Sequence, residues 1–264
     1  MRFGVMNSPL LDLKQEIERV GQSPFDYIEI TLDPPEAHYR DVAAHAPELR
    51  GLLQQHDLAV VCHMPTFVSL GDLSPHIREG SLLEVVGGME AAAALGAQKI
   101  TLHPPFFSGM GRYAREASIE LMLESLDFLT AKAYEYGLLV CLENLDGRDS
   151  ELGSDPESMT ELLARYADAD MTFDIAHAFV QGGHTAIERF FALCHERIGH
   201  VHISDNWGHS DDHLPLGAGG LDLPAVAALL QKYGYNDTIT LEVFAPDRTY
   251  RDVSLARFKA LLNA

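Results

Sequence analysis

Long hydrophobic runs, paired cysteines and basic charge are all scarce in these 264 residues, and each shortage removes a class of protein. The apolar runs stop far short of the roughly 20 residues that span a bilayer, so no membrane segment is expected. The opening Met1-Arg-Phe-Gly-Val-Met6 reads as a short strand. A secretory leader would need a basic start, a long apolar stretch and a small-residue cleavage site. Cys62, Cys141 and Cys194 are widely spaced and outside any CxxC pair. That argues against a disulfide framework or a thiolate zinc knuckle, and a reducing cytoplasm is the expected setting. Lys and Arg total 19 against 39 Asp and Glu, a net charge of −20. A field of that sign repels phosphate backbones and anionic lipid, so neither nucleic acid nor a membrane surface is an expected partner.

What is present is a repeating alternation. Hydrophobic residues make up 47 % of the chain, ample for a large core. Short apolar runs at 2–6, 27–32, 58–62, 99–102, 138–142, 171–173, 198–203 and 238–243 read as strands. Helical patterns lie near 10–20, 41–56, 78–95, 116–136, 156–167, 184–195, 222–233 and 249–263. Asp155-Pro156 has the form of an N-cap followed by proline at the first helical position. Gly96, Gly137 and Gly234 stand where helices should stop before the next strand.

Eight strands alternating with eight helices over this length predict a single (β/α)₈ TIM barrel spanning 1–264. The runner-up, a doubly wound open sheet, usually carries a glycine-rich first turn for a dinucleotide. Gly4-Val-Met-Asn-Ser-Pro does not supply one. Gly217-Ala-Gly-Gly220 lacks that spacing too and reads as a turn.

The strand ends carry the chemistry. The third run ends in His63 and the fourth in His103. The fifth ends in Glu143, the sixth in Asp174 with His177 three residues on, and the eighth in Glu242. The seventh carries His202, and its loop adds Asp211 and His213. In a barrel these ends converge on one face. So many carboxylates in one cavity repel each other unless a cation neutralises them. Carboxylate oxygens mixed with imidazole nitrogens suit zinc, manganese, cobalt or iron, and magnesium less well. One to three divalent ions are expected. None of Lys14, Lys99, Lys132, Lys232 and Lys259 ends a strand, which disfavours a Schiff-base aldolase, and no GxSxG nucleophile elbow occurs.

The pattern His63-Met-Pro, His103-Pro-Pro, Leu142-Glu-Asn144, Phe173-Asp-Ile-Ala-His177, His200-Val-His-Ile-Ser-Asp205, Asp211-Asp-His-Leu-Pro-Leu-Gly217 and Leu241-Glu242 resembles the xylose isomerase-like TIM-barrel superfamily. That superfamily holds sugar isomerases and epimerases and the endonuclease IV type of repair nuclease. The resemblance covers the whole chain. It implies that Glu143, Asp174, His202 and Glu242 hold the metal of the epimerase branch. His63, His103, His177, Asp211 and His213 match the additional ligands of the nuclease branch. The basic DNA-penetrating loops of that branch are not evident, and the net charge has the wrong sign for them.

The leading expectation is an isomerase or epimerase acting on a small sugar, sugar phosphate or related hydroxy-carbonyl compound. A divalent metal would stabilise an enediolate, with Glu143 and Glu242 taking and returning the proton. His177 would orient a ligand or hold a hydroxyl. Phe106, Phe107, Trp207 and Phe244 are candidate pocket walls. The alternatives are a multinuclear zinc phosphodiesterase or phosphatase, and a metal-dependent lyase or dehydratase. Arg112, Arg148 and Arg248 are available in loops for a phosphate. A small-molecule partner is expected, and a homo-oligomer is compatible with the sequence.

Overall fold

Parallel strands buried on both faces need a layer of helices outside and a filled interior, and this chain supplies both. A computed structural model describes residues 1–147 and 151–263. Its strands are β1 Arg2–Met6, β2 Tyr27–Thr31, β3 Ala59–His63, β4 Lys99–Leu102, β5 Leu139–Glu143, β6 Asp170–Asp174, β7 Ile198–Ile203 and β8 Thr238–Leu241. They pair in parallel in chain order, and β1 pairs with β8 to close the barrel. The expected TIM barrel is the observed fold.

The helices are α1 Leu13–Val20, α2 Tyr39–Ala44, α3 Ala46–Gln55, α4 Pro75–Leu95 and α5 Arg115–Glu135. They continue with α6 Pro156–Arg165, α7 Ile175–Cys194, α8 Leu223–Lys232 and α9 Thr249–Leu262. Asp155 caps α6 as expected, accepting from the Glu157 and Ser158 N–H groups, with Pro156 in the first turn. Gly96, Gly137 and Gly234 each take positive φ. At Gly96, φ is +88°, a conformation that costs an L-residue about 1 kcal/mol or more.

Two helix boundaries differ from the sequence reading. The helix expected over 41–56 is broken at His45, because Pro47 lacks the N–H that would bond back to the preceding turn. The helix expected at 184 begins at Ile175. Asp174 ends β6 and also caps α7 by accepting from the His177 N–H. The apolar stretch 175–180 therefore forms its first turns, and the chain kinks at Gly182 and Gly183.

The hydrophobic core lies between strands and helices. Ile28, Ile30, Cys62, Ile100, Leu142, Phe173, Val201 and Leu241 belong to it, packed with helix residues such as Val85, Met89, Leu126, Phe190 and Phe258. Alternation along each strand sends the intervening residues inward. There the barrel is polar: Glu29, Thr101, Thr172, His200, His202, Thr238 and Thr240 are all buried.

Candidate metal centre at the barrel mouth

Strand register decides which side chains meet. Thr31 lies opposite His63, His63 opposite Thr101, Glu143 opposite Thr172, and Asp174 opposite His202. Thr31, His63, Glu143 and Asp174 are the last residues of their strands, and His103 and Glu242 follow the last residues of β4 and β8. His177 sits in the first turn of α7, held there by the Asp174 cap. Asp211 and His213 come from the segment between β7 and α8.

All nine residues named from the sequence converge. Glu143 is the hinge of the arrangement. Its Oε2 lies 2.9 Å from His103 Nε2 and 3.1 Å from His63 Nε2, while Oε1 lies 3.2 Å from His202 Nδ1. His202 Nδ1 is also 3.0 Å from Glu242 Oε1 and 4.0 Å from Asp174 Oδ2. Beside them Asp211 Oδ2 stands 2.9 Å from His213 Nε2 and 3.2 Å from His177 Nε2. His213 Nδ1 is 3.6 Å from Glu242 Oε2, so the two carboxylates Glu143 and Glu242 link three sub-clusters.

The neighbours in this set favour the charged forms of Glu143 and His63 and the neutral form of Asp174. Burial favours the neutral carboxyl at Glu143, yet His202 and His103 outweigh it and hold the group well below the usual carboxylate range. Burial disfavours the His63 cation, but the Glu143 carboxylate lifts its pKa to about 9. Asp174 moves the other way. Burial, then the charges of Glu242 and Glu143, push it up to about 7 against the pull of His177.

The donor set fits a divalent cation on three counts. Among the described residues Asp174 Oδ2, Asp211 Oδ1 and His213 Nδ1 are buried without a hydrogen-bond partner, which is costly unless a ligand satisfies them. His63 Nδ1 donates to the Met64 carbonyl at 2.8 Å and His177 Nδ1 to the Asn144 carbonyl at 2.9 Å, turning each Nε2 toward a carboxylate. Finally, metal–ligand bonds of about 2.0–2.1 Å at tetrahedral to right angles give ligand separations of roughly 2.9–3.4 Å. The N···O distances of 2.9–3.2 Å across the clusters match.

A buried carboxylate with no ion-pair partner among the described residues shapes the loop that carries Asp211 and His213. Asp205 Oδ1 accepts from the N–H groups of Asn206 and Leu221, and Oδ2 from those of Gly217 and Gly219. A side chain at Gly219 would collide with the Asn206 carbonyl and Asp205 itself, so the glycine-rich turn is folded around Asp205. Unpaired buried N–H groups cost on the order of 1–3 kcal/mol each. Asp205→Ala is expected to lower the melting temperature by several degrees and to loosen the Asp211–His213 segment. An unchanged thermal melt would contradict this.

Above the clusters opens a cavity of about 660 Å³, lined among others by Ser8, Leu10, Thr31, Asp33, Thr66, Phe67, Phe244 and Arg248. Phe244 is a wall as expected, packed against His213 at 4.6 Å between ring centroids. The other three aromatic candidates are not among the walls. Phe107 is buried under Arg115, and Trp207 is exposed. Phe67, 90 % exposed at the rim, takes that place instead. Of the three arginines, Arg248 reaches the cavity and Arg112 donates to the Phe107 carbonyl. Arg148 lies outside the described residues.

Two contributors escaped the sequence reading. Glu29 lies on the barrel axis, and its only signal is a charge inside the run Tyr27-Ile-Glu-Ile-Thr31. Burial favours its neutral form, but His202 and His200 hold the carboxyl well below its ordinary value. Asp33 accepts from both the N–H and hydroxyl of Thr66 and from the Thr31 hydroxyl, which fixes a carboxylate on the cavity wall.

Fold and site together define a closed α/β barrel with a carboxylate–histidine constellation at the C-terminal mouth. The chain belongs to the xylose isomerase-like TIM-barrel family, whose model matches residues 17–260. It is 30 % identical over 226 residues to an uncharacterised protein of Methanocaldococcus jannaschii, covering 84 % of each chain. It is 27 % identical over 230 residues to a probable endonuclease 4 of Symbiobacterium thermophilum, covering 81 % of this chain and 82 % of that one. Among solved structures it is similar to a D-tagatose 3-epimerase-like protein, with TM-score 0.85 and 23 % identity over 100 % of this chain and 98 % of that one.

Proposed function

We propose that this chain is a divalent-metal-dependent isomerase or epimerase of a small sugar, sugar phosphate or related hydroxy-carbonyl compound. The observation that carries the reading is the convergence of Glu143, at the end of β5, and Glu242, just after β8, on the buried imidazole of His202, both carboxylates lining the cavity. Glu143, Asp174, His202 and Glu242 would hold the ion. Bound there, a divalent cation supplies a Lewis acid that polarises a carbonyl oxygen. One of the two glutamates takes the proton from the carbon beside that carbonyl, and the bonding pair moves into the adjacent carbon–carbon bond. The other glutamate returns a proton, to the opposite face for epimerisation. Asp33, fixed by Thr31 and Thr66, accepts a substrate hydroxyl. The three free cysteines, all buried, suit a cytoplasmic setting. Among the described residues no helix is long and apolar enough to cross a membrane.

A panel of C4–C6 ketoses and their phosphates in D₂O, with Mn²⁺, Co²⁺, Mg²⁺ or Zn²⁺, tests the reading. Deuterium is expected on the carbon beside the carbonyl, together with an interconverted sugar. Phosphate release without any isomerised product would refute it.

A second reading, hydrolysis of a phosphate ester or diester, is favoured by one specific feature. His63 and His103 occupy the far oxygen of Glu143, and Asp211 stands within 3.2 Å of both His177 and His213. A polymeric DNA substrate conflicts with the charge of −20. Incision of an abasic duplex is therefore expected to be negligible with zinc or manganese, even at low salt. Efficient cleavage at low enzyme concentration would transfer the chain to the nuclease branch.

A further inference from the structure

A buried carboxylate on the axis of a TIM barrel is anomalous, because branched aliphatic side chains ordinarily fill that space. Glu29 is fully buried there, and four groups surround it. His200 Nε2 lies 2.8 Å from Oε2, and His202 Nε2 lies 3.1 Å from the same oxygen. Thr101 donates its hydroxyl to Oε1 at 3.0 Å, and Thr240 donates to Oε2.

The direction of these bonds can be traced from the far end of the barrel. Lys99 can only donate, and its Nζ donates to Thr238 Oγ1 at 3.0 Å. Thr238 turns its own proton toward His200 Nδ1, 2.7 Å away. His200 then has its N–H at Nε2, directed at Glu29. On the opposite side Tyr27 reaches Thr240 Oγ1 at 2.8 Å, so the Thr240 proton goes to Glu29. An ionised carboxylate has about four acceptor positions, and the two threonines, His200 and His202 fill them. Glu29, His200 and His202 are close enough to suggest an ion of their own, but this saturation closes the trio without one.

We propose that Glu29 is the positioning residue for His202: by accepting the Nε2 proton, it presents the bare Nδ1 to Glu143 and Glu242. The inference rests on the reading of His202 as a metal ligand. A ligating histidine depends on a partner for its other nitrogen, and loss of such a partner typically weakens metal binding 10–100-fold. Glu29→Gln keeps the shape but turns one acceptor into an amide donor. That donor faces the N–H of a histidine or the hydroxyl of a threonine, and His202 must shift its proton to Nδ1 or lose its orientation.

Co²⁺ titration of the metal-free protein is the test, read by affinity and by the visible absorption of the bound ion. For Glu29→Gln the dissociation constant is expected to rise about 10–100-fold and the absorption band to shift, with far-UV circular dichroism unchanged. An unchanged Co²⁺ affinity and band in a folded variant would overturn the proposal, as would a lowered melting temperature with both readouts intact. Should Glu29→Gln fail to fold, Thr240→Val removes one donor from the carboxylate at nearly constant shape. It is expected to weaken Co²⁺ a few-fold, and no change would equally overturn the proposal. Wild-type protein that takes up no Co²⁺ would overturn the metal reading itself, a failure distinguishable from that of Glu29.

Discussion

Glu143→Gln is expected to lower turnover by roughly 10²–10⁴-fold or more, the range for losing a group that moves a proton, and to strip metal from the protein. The reason lies in its four histidine neighbours. Glu143 meets His63 and His103 with one oxygen and His202 with the other, and His177 Nδ1 is 3.6 Å away. An amide nitrogen would turn an acceptor into a donor on one of these sides and remove the charge from both. Glu242→Gln is expected to lose comparable turnover but less metal, because among the described residues its oxygens face two histidines, His202 and His213. Steady-state kinetics on an identified substrate, with metal content measured by elemental analysis, separates the two effects. Near wild-type turnover in either variant would end the two-carboxylate mechanism.

Metal removal should have the largest effect on stability. Glu143, Asp174, Asp211 and Glu242 share one mouth, and Asp174 Oδ2 and Asp211 Oδ1 are buried without hydrogen-bond partners among the described residues. A ligand that binds only the folded chain at about 1,000 times its dissociation constant stabilises it by about 4 kcal/mol. For a chain of this size each kcal/mol shifts the melting temperature by roughly 2–4 °C, so chelation is expected to lower it by about 8–16 °C. Differential scanning calorimetry before and after exhaustive chelation, with Mn²⁺ or Zn²⁺ added back, measures the shift. Superimposable melts would mean that these carboxylates do not need an ion to coexist.

The barrel was legible because its signals are local. Alternating apolar runs and helical patterns, the Asp155-Pro156 cap and the glycine stops each depend on a few neighbouring residues. Where two local rules compete, the pattern in the chain misleads. The stretch 175–180 is as apolar as a strand, and the cap that makes it helical comes from Asp174, itself the last residue of β6. Pro47 divided the helix expected over 41–56 for the opposite reason, a single missing donor inside a good helical pattern.

By itself the sequence determined the barrel and the nine residues at its mouth. Strand ends are recognisable in the chain, and closure of a parallel sheet brings every one of them to the same face. Only the tertiary structure decided which oxygen faces which nitrogen. Glu143 bridges histidines 80 and 59 residues away, and Glu29 meets His202 across 173 residues. Contacts at such separations leave no periodicity or spacing in the chain, because they arise from the inward turn of side chains on different strands and not from any neighbour in sequence.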